Sequence, residues 1–175
     1  IKKLKKNNII FADDGSLSFI VKKVGKHDIE CIAKCSGTLK SKKGFNFPNI
    51  SFDEKFLTKK DREYIKFAII NKVDFIALSF VEKGKNIEEV KKLIGNSDSP
   101  KIISKIENKA ALDNIHDIVR KTDLIMIDRG DLAAETNPAD VVIHQKKIIS
   151  ISNEMNKPVI VATEMLNNMI LLNHP

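Results

Sequence analysis

Two rhythms of apolar residues divide the chain. Near the start, Ile9-Ile10-Phe11-Ala12 is a short apolar run closed by the turn signal Asp13-Asp14-Gly15. Leu17-Ser18-Phe19-Ile20-Val21 follows, then a second turn at Gly25-Lys26-His27-Asp28. Ile29-Glu30-Cys31-Ile32-Ala33 alternates and can pair back as a hairpin. Three or four short strands with turns every ~8–12 residues predict a small β-barrel or sheet. A unit of about 40 residues is insecure alone, so residues 1–43 are expected to belong to a larger β domain.

From Gly44 the period lengthens. Phe47-Pro48-Asn49 reads as a connector, and Thr58 with Asp61 reads as a helix start. Tyr64, Phe67, Ala68 and Asn71 follow at helical spacing. Strands are predicted over 73–80, 101–106, 124–127 and 158–162. Helices are predicted over 86–95, 109–120, 138–155 and 164–172. In the first of these, Ile87, Val90, Leu93 and Ile94 share a face, and Gly95 is a stop. In the second, Leu112, Ile115 and Val119 point inward. Strands alternating with helices are the βα repeat of a parallel sheet, closed as a barrel or open and doubly wound. No G-x-G-x-x-G or G-x-x-x-x-G-K-[ST] follows any strand, which removes the usual nucleotide fingerprints. A β unit joined to such an array favours an α/β fold with an incomplete (β/α)-barrel.

Composition narrows the function classes. Hydrophobic residues make up 42% and charged residues 30% of the 175, a globular balance. No apolar run approaches the ~20 residues of a membrane span. The net charge of +7 invites a nucleic-acid reading, but the cations are nearly all Lys, with Arg only at 62, 120 and 129. No aromatic residues interleave with a basic stripe to stack bases, so neither nucleic acid nor membrane is an expected partner. Cys31 and Cys35 are too few for a disulfide framework or a zinc site and imply a reducing compartment. His27, His116, His144 and His174 show no metal spacing and read as surface residues. The basic start leads into no signal-peptide core and has no initiator Met, so the chain is expected to be a piece of something longer.

Position carries the chemistry. Lys105 and Glu107 close one predicted strand, Asp131 follows the next, and Thr163 and Glu164 follow the last. In βα barrels such strand ends form the active-site rim. Glu107 and Asp131 are hard oxygen donors suited to Mg²⁺, or two ordinary acidic residues at loop starts. Lys105 alternates with Ile106 and so points with Ile103 and Glu107. It is a cation for a transferring phosphoryl group, a Schiff-base amine, or a lysine salt-bridged to a neighbouring carboxylate. Gly130 either lets backbone N–H groups approach an anion or simply makes a turn. Thr163 can equally be a helix N-cap.

With these residues in view, the chain resembles pyruvate kinase. Ser41-Lys42-Lys43-Gly44-Phe45-Asn46-Phe47-Pro48 is similar to the junction S-K-K-G-V-N-L-P that leaves the family's mobile lid. Ala77-Leu78-Ser79-Phe80-Val81 is similar to its A-S-F-[IV] strand. Residues 102–108 (IISKIEN) match the active-site signature I-I-[SA]-K-I-E-N. Residues 126–132 (MIDRGDL) resemble M-[VI]-A-R-G-D-L, and 159–169 (VIVATEMLNNM) resemble V-I-x-A-T-Q-M-L-E-S-M. The resemblance implies a (β/α)₈ TIM barrel with an inserted β-barrel lid. Residues 1–43 would be the second half of the lid, and 44–175 about the fourth to seventh strands of the barrel. It implies phosphoryl transfer from phosphoenolpyruvate to ADP in glycolysis, giving pyruvate and ATP, with Mg²⁺ (or Mn²⁺) and K⁺. Lys105 would stabilise the phosphoryl group and the developing enolate, and Glu107 and Asp131 would ligate the divalent metal. The N–H groups of Gly130 and Asp131 would hold the substrate carboxylate. Thr163 would lie in the proton-transfer path, and Lys43 would approach the nucleotide phosphates. A homotetramer in the cytoplasm, or in an organelle, is implied for the full-length protein.

This chain departs from the family pattern at several positions. The family's Ala before Arg-Gly-Asp is Asp128, the Gly after Asp-Leu is Ala133, and the Gln after Ala-Thr is Glu164. Lys109-Ala110-Ala111 stands where Glu or Gln and then Gly are usual. Leu171–Pro175 replaces a basic, proline-rich segment. These mark a divergent member. The family's K⁺ ligands and substrate-facing Arg belong to barrel strands outside this chain, so the isolated chain is expected to turn over no substrate. Two alternatives are a non-catalytic remnant with a binding role or none, and a Schiff-base aldolase using Lys105.

Overall fold

The computed structural model describes residues 3–13, 15–48, 50, 55–95, 99–163, 165–170 and 172. Asp14, Asn49, Glu164, Leu171 and Asn173 to Pro175, with His174 among them, lie outside the described residues.

Two four-stranded sheets form, one antiparallel and one parallel. The short runs near the start become β1 (Ile9–Ala12), β2 (Leu17–Val24) and β3 (Ile29–Ala33), each antiparallel to the next. Asp13 takes the left-handed conformation at φ 54, and its carbonyl accepts from Ser16 N–H at 3.0 Å. β4 (Phe45–Asn46) returns to pair with β1, giving the order β3-β2-β1-β4. Leu4, Ile10 and Val21 form its small buried cluster, against which Phe19, Phe47 and Ile50 pack.

The second sheet is parallel, in the order β5-β6-β7-β8. Its strands are β5 (Phe75–Leu78), β6 (Lys101–Ile106), β7 (Leu124–Asp128) and β8 (Val159–Ala162). The helices are α1 (Lys59–Ile70), α2 (Gly84–Ile94), α3 (Lys109–Asp113), α4 (Ile115–Lys121), α5 (Arg129–Glu135) and α6 (Val141–Glu154). Alternation within the strands sends Leu78, Ile102, Ile106, Ile125 and Ile127 into the main core, where they meet Ile87, Val90, Ile118 and Ile148 of the helices. The opposite face carries Phe75, Ile103, Lys105, Met126, Asp128 and Ile160, placed together by register. Phe75 and Ile160 on that face are exposed.

Local signals explain the boundaries. Thr58 caps α1 reciprocally: its hydroxyl accepts from Asp61 N–H at 3.1 Å, and its own N–H donates to Asp61 Oδ2 at 2.8 Å. Thr58→Ala is expected to cost about 1 kcal/mol, read as a lower denaturant midpoint at unchanged slope. Gly95, at φ 72, ends α2. Gly84 opens α2 against α4: its N–H donates to Asp117 Oδ2 at 3.0 Å, and a Cβ there would run into that carboxylate.

Several expected elements change form. The single helix expected over 109–120 is two, because Asn114 leaves the helix between them. Its side-chain amide donates to the carbonyls of Ala110 at 3.0 Å and Glu82 at 2.9 Å. The helix expected from Pro138 begins as a 3₁₀ turn, Pro138–Asp140, capped by Asn137. In place of a helix over 164–172, the described residues hold one 3₁₀ turn, Asn167–Ile170. On α1, Ile65 is the buried position, whereas Tyr64 and Phe67 are exposed. That helix flanks β5, a strand at the sheet's edge. No described helix is long and apolar enough to cross a membrane.

Candidate functional site

Parallel register decides which side chains meet. Lys105 of β6 lies opposite Met126 of β7, and Asp128 of β7 lies opposite Ala162 of β8. Side chains of one parity therefore arrive together at the C-terminal edge of the sheet. Glu107 continues β6, Thr163 continues β8, and Asp131 sits in the first turn of α5.

The Lys105 ammonium is the centre of the cluster. It ion-pairs with Glu107 Oε1, and with Asp128 Oδ2 at 3.0 Å. Glu107 is 1% exposed, and its other oxygen accepts from Phe80 N–H at 2.6 Å. Asp128 Oδ1 accepts from the Thr163 hydroxyl at 3.1 Å, and that hydroxyl oxygen accepts from Gly130 N–H at 3.0 Å. Carboxylate oxygens of Glu107, Asp128 and Asp131 lie within 4.8 Å of one another. Asn46 of β4 reaches across from the first sheet, its amide 3.4 Å from Asp131 Oδ1.

Burial pushes the Glu107 carboxyl above its usual range, partly offset by Lys105 and the Phe80 N–H and reinforced by the charge of Asp131. Burial pulls Lys105 down, but its bonds and charge interactions with Glu107 and Asp128 prevail and hold it above its ordinary value. Lys105 is therefore an ammonium ion. A Schiff-base nucleophile needs the neutral amine, so this environment tunes Lys105 in the direction opposite to the one the aldolase alternative requires.

Glu135, one helical turn beyond Asp131, is also raised by burial, against hydrogen bonds from the Asn46 side chain and the Phe47 N–H. A carboxyl raised in the folded state contributes stability that is full below the ordinary carboxylate value and is lost as pH rises through the folded value. Glu135→Gln is thus expected to raise the melting temperature at neutral pH, with the advantage vanishing on acidification. Thermal unfolding of both proteins across that range checks it.

Strain gathers at the same edge. Phe80 and Thr163 are left-handed, at φ 52 and 61. Such conformations cost on the order of 1–3 kcal/mol each, and for a β-branched threonine the conformation is a true outlier.

The donor set fits a divalent cation such as Mg²⁺ or Mn²⁺. Three carboxylates offer hard oxygens at close spacing, and the buried Glu107 requires a compensating positive charge, now supplied by Lys105.

The structure thus gathers Lys105, Glu107, Gly130, Asp131 and Thr163. Lys43 pairs instead with Asp13, at 2.6 Å. The Gly130 N–H, assigned by resemblance to a substrate carboxylate, here binds Thr163. Asp128, noted in the sequence only as a departure, is a full member of the cluster, and Asn46 and Glu135 flank it. The parity of Leu124, Met126 and Asp128 along β7 was the signal available for Asp128. A cleft of about 720 Å³ between the first sheet and α3 to α6 touches Glu135 and His144 but none of Lys105, Glu107 or Asp131.

Over residues 1–175 the chain matches the model of the family described as pyruvate kinase, barrel domain. It is 42% identical over 170 residues to a pyruvate kinase of Clostridium perfringens, covering 95% of this chain and 36% of the relative. It is 41% identical over 160 residues to that of Trypanoplasma borreli, covering 91% and 32%. It is 39% identical over 176 residues to plastidial pyruvate kinase 2 of Arabidopsis thaliana, covering 100% and 30%. The chain thus spans about a third of the length of these curated relatives.

Proposed function

Because the chain belongs to the pyruvate kinase family, we propose that it carries the Lys105 side of a site that moves a phosphoryl group from phosphoenolpyruvate to ADP. The observation that carries this reading is the convergence of the Lys105 ammonium with the Glu107, Asp128 and Asp131 carboxylates at one sheet edge.

In this reading the bond between the enol oxygen and phosphorus breaks, and a bond forms from phosphorus to a terminal oxygen of ADP. Lys105 follows the charge as it spreads over the phosphoryl oxygens and the enolate, which is where a fixed cation lowers the barrier. Glu107 and Asp131 hold the divalent cation, with Asp128 beside them. When bound, that ion neutralises phosphate charge and polarises the enolate oxygen. Thr163 stands beside the carbon that takes up a proton to give pyruvate. The N–H groups of Gly130 and Asp131 hold the substrate carboxylate, which requires Gly130 to release Thr163. Lys43 exchanges Asp13 for a nucleotide phosphate. ATP leaves as the second product.

The parallel sheet is read as the fourth to seventh strands of an eight-stranded barrel, and residues 1–43 as the end of its lid. Support comes from the strand order, from both edges of the sheet lacking a partner among the described residues, and from the exposed inner face at Phe75 and Ile160. By itself the 175-residue chain is then inactive. The cytoplasm is the proposed compartment, with an organelle the alternative suggested by a relative's plastidial name.

The test is pyruvate formation from phosphoenolpyruvate and ADP by the full-length protein and by the isolated chain. Magnesium-dependent turnover is expected from the first alone. Pyruvate formed by the purified chain, and lost in Lys105→Met, would refute its inactivity.

A further inference from the structure

We propose that Asp128 is a positioning residue, whose carboxylate fixes the Thr163 hydroxyl and draws Lys105 beside it into one geometry. The role rests on the phosphoryl-transfer reading and adds a group that the family pattern, with Ala at this position, does not supply.

The Thr163 hydroxyl has one proton, and an ionised carboxylate only accepts. At 3.1 Å from Asp128 Oδ1, Thr163 donates there and has no proton for another partner. The Gly130 N–H, 3.0 Å away, fills one of its lone pairs. Thr163 therefore meets a substrate as an acceptor only, with its remaining lone pair and the one that Gly130 gives up. The other Asp128 oxygen accepts from Lys105 at 3.0 Å. One carboxylate on β7 thus ties Lys105 of β6 to Thr163, just past the end of β8, across its own strand. It is 9% exposed, and charge-assisted bonds shielded from water hold geometry firmly. The tether also bears on a strained residue, because Thr163 sits at φ 61. With alanine at 128, Thr163 loses the acceptor of its proton, and Lys105 loses one of its two ion pairs among the described residues.

The test uses the full-length protein with Asp128→Ala, Asp128→Asn, Thr163→Val and the Asp128→Ala/Thr163→Val double variant. Two readouts are taken. In ¹⁵N-glycine-labelled protein, the Gly130 amide resonance is expected to move alike in Asp128→Ala and Thr163→Val. It should stay near its original position in Asp128→Asn, which keeps an acceptor oxygen for the hydroxyl. In phosphoryl transfer, Asp128→Ala is expected to lower kcat about tenfold, with KM for phosphoenolpyruvate changed less than about threefold. Added to Thr163→Val, it should cost clearly less than tenfold, because only its hold on Lys105 remains to be lost. An unmoved Gly130 amide in Asp128→Ala overturns the proposal whether or not the protein turns over. Losses that multiply in the double variant overturn it as well. A moved amide in a protein without phosphoryl transfer would keep the tether and refute the reaction.

Discussion

Lys105→Met is expected to lower kcat for phosphoryl transfer about 10³-fold or more, with the fold retained. Lys105 is the cation at the centre of the cluster, held between Glu107 and Asp128. Removing one well-placed group that stabilises transition-state charge costs about 10²–10³ in comparable sites. Here the lost group carries a full charge in a partly desolvated place. The stem of methionine keeps most of the packing, so the loss belongs to charge and not to shape. Lys105→Arg should not restore the rate, because a planar fork cannot occupy the point position of an ammonium between two carboxylates. The substitution also strands Glu107, which is 1% exposed. An uncompensated buried carboxylate protonates instead of remaining charged, so Glu107, already raised by burial, moves further up. The variant's stability should therefore fall as pH rises through that value, because proton release then leaves an unpaired buried charge. Steady-state kinetics, and thermal unfolding followed from acid to alkaline pH, check both parts.

Glu107→Gln is expected to weaken Mn²⁺ binding by about 100-fold or more, and to reduce turnover with it. Disturbing a group that merely supports a metal ligand costs about 10–100-fold, and Glu107 is proposed as a ligand itself. The amide is nearly isosteric and still offers an oxygen to the Phe80 N–H, so the backbone at that strained residue keeps its bond. The charge is lost, and with it the acceptor that faced Lys105, since the amide nitrogen only donates. Lys105 then retains Asp128 as its counter-charge, so the fold survives better than after removal of the cation. Calorimetric titration with Mn²⁺ separates this from a folding defect, since the melting transition should remain cooperative. Binding of Mn²⁺ at the original affinity would remove Glu107 from the ligand set.

What was legible in the sequence was local or periodic. The turns of the first sheet, the capping pair Thr58 and Asp61, and the inward faces of α2 and α4 all follow from neighbours within a few residues. The four parallel strands followed from apolar runs of strand length between amphipathic stretches, and their order along the chain matches their order in the sheet. Parity then brought Lys105 and Glu107 to one edge, where Asp131 joins them from the first turn of α5 and Thr163, of the opposite parity on its strand, with a left-handed backbone.

What was missed depends on contacts between distant parts. Asn114 breaks a helix partly because its amide finds the Glu82 carbonyl, 32 residues away. The outward face of α1 is set by where the described sheet ends, not by its own sequence. Asp128 was visible only as a departure from the family pattern, because its partners Lys105 and Thr163 come from other parts of the chain. Asn46, in a junction strand of two residues, gave no sign that it would lie beside Asp131.

The most direct test of the central claim is phosphoryl transfer by the full-length protein, wild type beside Lys105→Met, with phosphoenolpyruvate, ADP and Mg²⁺. The account predicts pyruvate from the wild type, dependence on the added metal, and a loss of about 10³-fold in the variant. A folded wild type that makes no pyruvate, or a variant that makes it undiminished, would contradict it.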